Sequence, residues 1–311
     1  MKALVVCSFK ERLNGHVAPF VKEQVEALGK AGMECELFLV KGKGTLGYLQ
    51  QLKPLKNNIK DFNPDVIHAH FGLCGLLANL QRKVPVVTTY HGSDINDKKN
   101  LPFSKMAMRL SAWNIFVSRK TMEIAKPKKK CTLLPCGIDF SDLQLYEKQD
   151  ARKRMGLDAA KKKYVLFAGA FDNAVKNAPL AKKTVSFLQD ENVELLELKG
   201  YTREEVTLLM CAADAFLMTS FSEGSPQVIK EALACGCPIV SVDVGDVKER
   251  LESVAGCHVA KTREPKELAE LLQKALAFAT KTQGREKLLA DGLDNRQVAE
   301  RLVGIYKNVL K

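Results

Sequence analysis

Two carboxylates flank a proline-started helix in Ser220-Phe-Ser-Glu223-Gly-Ser-Pro226-Gln-Val-Ile-Lys-Glu231-Ala-Leu-Ala-Cys-Gly236-Cys-Pro238. A helix start carries about half a positive charge and several unpaired N–H groups, a natural seat for a diphosphate. Glu223 stands just before that seat. Glu231 lies about six residues past the expected cap, roughly 9 Å along the axis at about 1.5 Å per residue. An elongated ligand with an anionic middle and hydroxylated ends suits this frame. One carboxylate meets each end, and the backbone of Gly224, Ser225, Pro226, Gln227 and Val228 meets the phosphates. A nucleotide sugar has that shape. The plain alternative is an ordinary capped helix with surface glutamates, and two glutamates with seven residues between them would not exclude it.

The elements around this stretch follow from pattern. Residues 214–218 are apolar and bounded by turn residues, so a short buried strand is expected there, and another over 239–243. Ser225 is suited to cap the helix and Pro226 to its first position. The helix is expected to run to about Cys235 and stop at Gly236, with Pro238 just beyond. A strand–loop–helix–strand unit of this kind belongs to a parallel α/β sheet, in which ligands gather at the strand carboxyl ends.

Upstream, apolar strands are expected at 3–7, 35–40, 64–70, 85–90 and 113–117, alternating with helices at about 16–31, 45–61 (interrupted near Pro54), 73–83 and 118–125. The strand at 85–90 delivers His91-Gly-Ser-Asp94 at its carboxyl end. A histidine there is more often a hydrogen-bonded structural residue than a catalytic one. A second set opens with a strand at 164–168. The loop Gly169-Ala-Phe-Asp-Asn-Ala-Val-Lys176-Asn follows, then a helix to about Leu188. Residues 265–276 and 295–310 repeat leucine and valine at helical spacing and are expected to pack against a core.

The stretch from Glu223 to Pro238 closely resembles the signature of retaining glycosyltransferases of family four, the group 1 glycosyltransferases. His-Gly-Ser-Asp and Cys131-Thr-Leu-Leu-Pro-Cys-Gly-Ile-Asp139 are similar to further segments of that family, with Cys136 in place of the usual asparagine. The resemblance implies a GT-B fold: two Rossmann-like α/β domains with parallel sheets facing across a cleft. The domains are placed at 1–150 and 151–294, with 295–311 a final helix returning toward the first. It implies that Glu223 holds the donor sugar, that Glu231 binds ribose hydroxyls, and that His91 lies beside donor sugar and acceptor with Asp94 on the acceptor side. Lys176 corresponds to the family's phosphate-gripping lysine. Lys199 and Tyr201 match a turn near the nucleotide base, and Gly15 stands where a glycine-rich turn approaches the donor phosphate. The chain departs from the family in three places. Ala170 occupies the position of the usual phosphate-binding arginine, one glycine near Gly15 is missing, and one strand–helix unit before residue 202 is absent. Losing a charge-assisted phosphate contact costs on the order of 1.5–3 kcal/mol unless another cation, such as Lys182 or Arg119, replaces it.

The expected activity is transfer of a sugar from a nucleotide diphosphate donor to an acceptor hydroxyl with retention, in polysaccharide or glycolipid assembly. No Asp-x-Asp pair follows an apolar strand, so no catalytic metal is implied, and no cofactor beyond the donor. An epimerase of the same architecture would need a further carboxylate pair on the sugar, and none is positioned for it. An inactive sugar-nucleotide-binding partner subunit is motivated by the missing arginine and glycine. The formal charge is +12, most of it in residues 1–150, which suits a lipid-linked acceptor at an anionic membrane surface. Lys126-Pro-Lys-Lys-Lys130 lacks interleaved aromatics, so nucleic acid is not expected as a partner. Nine scattered cysteines and no long apolar run point to a cytoplasmic protein, peripheral at most to the inner face of a membrane.

Overall fold

Apolar runs such as Ala3-Leu-Val-Val have no polar side to turn to water, and they become strands covered on both faces. In the computed structural model, which describes residues 1–11, 17–42, 44–128, 130–141, 143–158 and 162–311, eleven such strands form two parallel sheets. The first contains β1 (Lys2–Ser8), β2 (Glu34–Val40), β3 (Val66–His70), β4 (Val86–Tyr90), β5 (Trp113–Phe116) and β6 (Cys131–Leu133), in the order β2-β1-β3-β4-β5-β6. The second contains β7 (Lys163–Phe167), β8 (Val193–Leu196), β9 (Ala215–Met218), β10 (Ile239–Val242) and β11 (His258–Ala260), in the order β11-β10-β9-β7-β8.

The chain divides into two compact units, Met1–Asp139 with Leu293–Lys311, and Phe140–Gly292. The changeover lies at Asp139/Phe140 rather than at residue 150 because helix Lys148–Arg154 is pinned to the second unit. Arg152 and Lys148 both pair with Asp214 just before β9, and Arg152 Nε donates to the Ala212 carbonyl. The chain re-enters the first unit beside the point where it left: Ile138 bridges Asp294, and a Cβ on Gly137 would meet Asn295 Oδ1 at 2.5 Å.

In the first unit, β1 sends alternate side chains to opposite faces. Ala3 packs with Val66, Val87 and Ile115 against helix Pro19–Lys30 and the last helix, Asn295–Leu310, through Val298, Leu302, Ile305 and Tyr306. Leu4 and Val6 face Leu55, Ile59 and Leu77 on the other side. The helical stretch expected over 45–61 is two helices, Gly44–Gln50 and Leu52–Phe62. The break falls at Gln51, and Pro54 sits in the first turn of the second helix, where its missing N–H costs nothing. In the second unit, β8 leads straight into helix Arg203–Ala212, started by a Thr202–Glu205 capping box.

Both sheets reverse strand order beside their first strand. Loops leaving the carboxyl ends on either side of such a point splay apart and open a crevice. In the second unit those loops follow β7 and β9. In the first they follow β1 and β3, with the β4 loop next in line.

Candidate functional site

The β7 and β9 loops of the second unit bring Lys176 and Glu223 together. Lys176 ends the 3₁₀ turn Ala174–Lys176, and its Nζ donates to Glu223 Oε1 at 2.7 Å. Both side chains are partly exposed, at 19% and 17%, so the pair is held by protein yet open to a ligand. The two loops are also tied through backbone. Thr219 Oγ1 donates to the Lys176 carbonyl at 2.9 Å, and Phe221 N–H to the Val175 carbonyl at 2.8 Å. Arg263 closes the other side, its guanidinium donating to the carbonyls of Thr219, Ser220 and Phe221. Arg263 was not singled out from the sequence, because nothing in its local context marks it.

Beyond Glu223 the chain enters helix Gln227–Ala234 with Pro226 at the cap position. Ser225 does not cap this helix as its residue type suggested. Its Oγ lies 2.8 Å from Asp246 Oδ2, taken by a carboxylate from the loop after β10. The helix ends as expected, at Gly236 with φ +72°, where the N–H groups of Gly236 and Cys237 donate to the carbonyls of Leu233 and Ala232. Glu231 lies on this helix. Burial raises its pKa, and the charges of Arg203 and Lys230 pull it back.

Buried polar groups on this helix and on the loop after β10 gave no motif in the sequence. Lys230 is fully buried in the helix, with its Nζ on Gln227 Oε1. Asp246 is almost wholly buried. Burial raises its pKa against the pull of Lys230, Arg250 and the Ser225 hydroxyl. A lysine amid Val228, Ile229, Ala232 and Leu233 was the available signal, since a cation on an apolar helix face needs a buried partner. The same loop brings Gly245, at φ +55°, against Gly224: a Cβ there would lie 2.3 Å from the Gly224 carbonyl oxygen. Gly245→Ala is therefore expected to cost about 1–3 kcal/mol of stability, with the strain falling on the Glu223–Gly224 backbone. Urea unfolding measures the loss.

Lys199 and Tyr201 stand apart from the pair. Lys199 Nζ makes an exposed ion pair with Asp172 Oδ2 at 2.6 Å, and Tyr201 is exposed beside it. Asp172 belongs to the same loop as Lys176, and Leu198 N–H donates to the Gly169 carbonyl at 2.8 Å, so this turn borders the cradle. Of the cations proposed to replace the missing arginine at Ala170, Lys182 lies with its Nζ 4.6 Å from the Phe171 ring centroid.

In the first unit, His91 is held among rings. Its Nε2 lies 2.9 Å from His70 Nδ1, its Nδ1 lies 3.9 Å from Cys136 Sγ, and the Phe71 and Phe20 ring centroids are 4.6 and 4.8 Å away. Phe71 follows β3 with φ +72°, a conformation that costs a non-glycine residue of order 1–3 kcal/mol and concentrates at functional sites. Asp94 is a loop clasp: its carboxylate accepts from the N–H groups of His91, Gly92 and Gly72 at 3.0 Å each. That geometry lets Asp94 hold the His91 loop against Gly72, just after β3. Burial nevertheless pushes its pKa up to about 6. Gly15 lies outside the described residues. Among the described residues no group of three His, Cys, Asp or Glu is gathered to hold a metal ion, and no helix is long and apolar enough to cross a membrane.

Two parallel-sheet α/β units, one with a lysine–glutamate pair at its switch point and a second glutamate on the following helix, define the GT-B class of sugar-transfer folds. The model for Glycosyltransferase Family 4 matches residues 36–142, and that for Glycosyl transferases group 1 matches 167–277. The chain belongs to this family, the group 1 glycosyltransferases of family four. It is 31% identical over 252 residues to TuaC of Bacillus subtilis, named for teichuronic acid biosynthesis, covering 72% of this chain and 63% of TuaC. The chain thus spans less than two thirds of that relative. It is 26% identical over 301 residues to N,N'-diacetylbacillosaminyl-diphospho-undecaprenol alpha-1,3-N-acetylgalactosaminyltransferase of Campylobacter jejuni, covering 83% of this chain and 80% of that one. Among solved structures, Anabaena HepE in complex with UDP-glucose superposes with a TM-score of 0.74 at 15% identity, covering 99% of this chain and 100% of HepE.

Proposed function

We propose that this protein transfers a sugar from a nucleoside diphosphate donor to a hydroxyl of a glycan or lipid-linked acceptor, with retention at the anomeric carbon. The Lys176–Glu223 pair, at the strand switch point just before a helix start, carries the reading. As the bond from the anomeric carbon to the phosphate oxygen breaks, negative charge grows on the departing diphosphate. Lys176 and the backbone from Gly224 to Val228 are aimed at that charge, and such preorganised groups need no rearrangement as it develops. Glu223 accepts from hydroxyls of the sugar ring and Glu231 from the ribose. The acceptor oxygen bonds to the anomeric carbon on the face the diphosphate leaves, and its proton passes to the leaving phosphate oxygen. His91 orients the sugar or the incoming hydroxyl, and Lys199 and Tyr201 border the base.

The complex of HepE with UDP-glucose makes that compound the first donor to try, and the Campylobacter relative's name points to a diphospho-undecaprenol acceptor. A thermal-shift panel of nucleotide sugars tests the reading, since a ligand at a hundred times its Kd stabilises by about 2.7 kcal/mol. At least one compound is expected to raise Tm by several degrees. A flat panel would remove the basis for donor binding. Because Lys176 and the helix start supply the positive charge, transfer is expected to persist in EDTA within about twofold, a difference below ~0.5 kcal/mol in the barrier. Activity restored only by a divalent cation would overturn that part.

A further inference from the structure

The short helix Gly44–Gln50 turns two leucines to solvent. Leu46 is 76% and Leu49 52% exposed, three residues apart and so on one side. Single exposed leucines are ordinary, but these are held outward by what lies opposite. Tyr48 packs on the core around Val6, Leu55 and Cys74, and its hydroxyl is 2.6 Å from Ser8 Oγ at the carboxyl end of β1. Gly42 and Gly47 approach so closely that a Cβ on Gly42 would lie 2.0 Å from the Gly47 carbonyl oxygen. The helix cannot roll its leucines inward without undoing both contacts.

The next helix, Leu52–Phe62, buries Leu55 and Ile59 and leaves Lys53, Lys56 and Lys60 exposed along its outer side. Lys41, before the leucines, is exposed as well. Asp61, at the helix end, is the one exposed acidic residue of Leu52–Phe62. Two protruding aliphatic side chains are thus bordered by cations, directly after the carboxyl end of β2. This is the same end of the first sheet that carries the His91 loop.

We infer that Leu46, Leu49 and the lysines of Leu52–Phe62 form a docking surface for a bilayer containing anionic phospholipid. The leucines enter the boundary between headgroups and acyl chains, and Lys53 and Lys56 meet lipid phosphates. The composition favours this occupant over others. Nucleic acid gains nothing from leucines and would be met by exposed aromatics for stacking. A second copy of the chain on a two-fold axis would set these lysines against themselves. Helix Leu101–Leu110 also exposes Met106 and Leu110 beside Lys105 and Arg109. It runs from β4 to the amino end of parallel β5, so its exposed half points away from the carboxyl-end loops. The docking surface deepens the lipid-linked acceptor in the proposed function, but its geometry and its test need neither donor nor acceptor.

Co-sedimentation with vesicles of phosphatidylcholine, alone or with one third phosphatidylglycerol, tests it. Wild-type protein is expected on the anionic vesicles only, with release at high salt. Leu46→Ser/Leu49→Ser, both on exposed positions, should weaken partitioning at least about tenfold. Lys53→Glu/Lys56→Glu should weaken it roughly fivefold or more per lysine, while Met106→Ser/Leu110→Ser leaves it unchanged. No binding by wild type overturns the inference, as does binding indifferent to the leucines or lost with Met106 and Leu110. A change of oligomeric state in the leucine variant, read by light scattering, assigns the face to a second copy and overturns it too. Donor-induced thermal shifts in the same variants keep the two readings apart. Vesicle binding without any donor shift leaves the docking surface standing and the transferase reading fallen; donor shift without vesicle binding does the reverse.

Discussion

Glu223→Ala is expected to lower kcat/KM for sugar transfer by about 10³-fold, or about 4 kcal/mol of transition-state stabilisation, while the chain stays folded. The fold survives because Glu223 is a partly exposed loop residue whose loop is held independently by Thr219, Arg263 and Gly245. Removing it leaves Lys176 without its carboxylate partner. The pair is only about a fifth exposed, so its loss costs about 1–3 kcal/mol, and the melting temperature should fall by several degrees. The activity loss has a different origin. In the proposed mechanism the carboxylate accepts from the sugar hydroxyls, and Lys176 donates to that same carboxylate. Glu223→Gln keeps the shape without the charge and should fall between wild type and alanine. Lys176→Met should lose a comparable amount through the diphosphate. If the two act as one unit, the double variant will lose little more than the worse single variant. Steady-state kinetics with the donor found in the thermal-shift panel, together with thermal melts, measure all four. Full activity in Glu223→Ala would sink the assignment.

A steep loss of stability in acid is the second large effect. His68 is fully buried between two hydroxyls, Tyr306 at 2.6 Å from Nδ1 and Thr89 at 2.7 Å from Nε2. A neutral imidazole has one accepting and one donating nitrogen, which suits such a pair. Burial lowers its pKa to about 3 from the ordinary 6.5. His70, also fully buried, is lowered too, first by burial and then by His68 and His91. A depressed histidine pKa means that the unfolded chain binds the proton first. The stabilisation is therefore complete above pH 6.5 and drains as pH falls toward 3. At about 1.4 kcal/mol per unit, His68 alone accounts for roughly 3 kcal/mol by pH 4.5 and about 5 at the limit. Because Tyr306 belongs to the last helix, acid should loosen that helix from the first sheet. Urea unfolding from pH 7.5 to 4.5 should show the slope, and His68→Gln, less stable at neutral pH, should flatten it. An unchanged slope in that variant would remove His68 as the cause.

Much of this was legible because it is local. Strand runs read as apolar segments, the Gly236 helix stop and the stripe of the last helix need only a few neighbouring residues. So does the place of Glu231 on the helix that follows Glu223, its distance from the helix start being set by the rise. The paired carboxylates and the lysine of the β7 loop were therefore named from residue order and family resemblance. What residue order left open are the partners that each polar side chain takes from far along the chain. Ser225 was chosen as a helix cap on residue type, yet its hydroxyl belongs to Asp246. Asp94 lies three residues past His91, yet it also accepts from the N–H of Gly72, just after β3. Arg263 and Phe71 carried little or no local signal, and the buried Lys230 only its place on an apolar helix face.

The order of residues alone determined the two runs of alternating strand and helix, the glutamate pair and its helix, and the excess of positive charge in the first 150 residues. Only the tertiary structure decided which loops meet at each strand switch point, that Lys176 closes on Glu223, and that Leu46 and Leu49 are left exposed. Periodicity acts through hydrogen bonds a few residues apart, whereas these contacts join segments tens of residues distant, and packing of the whole sheet selects them.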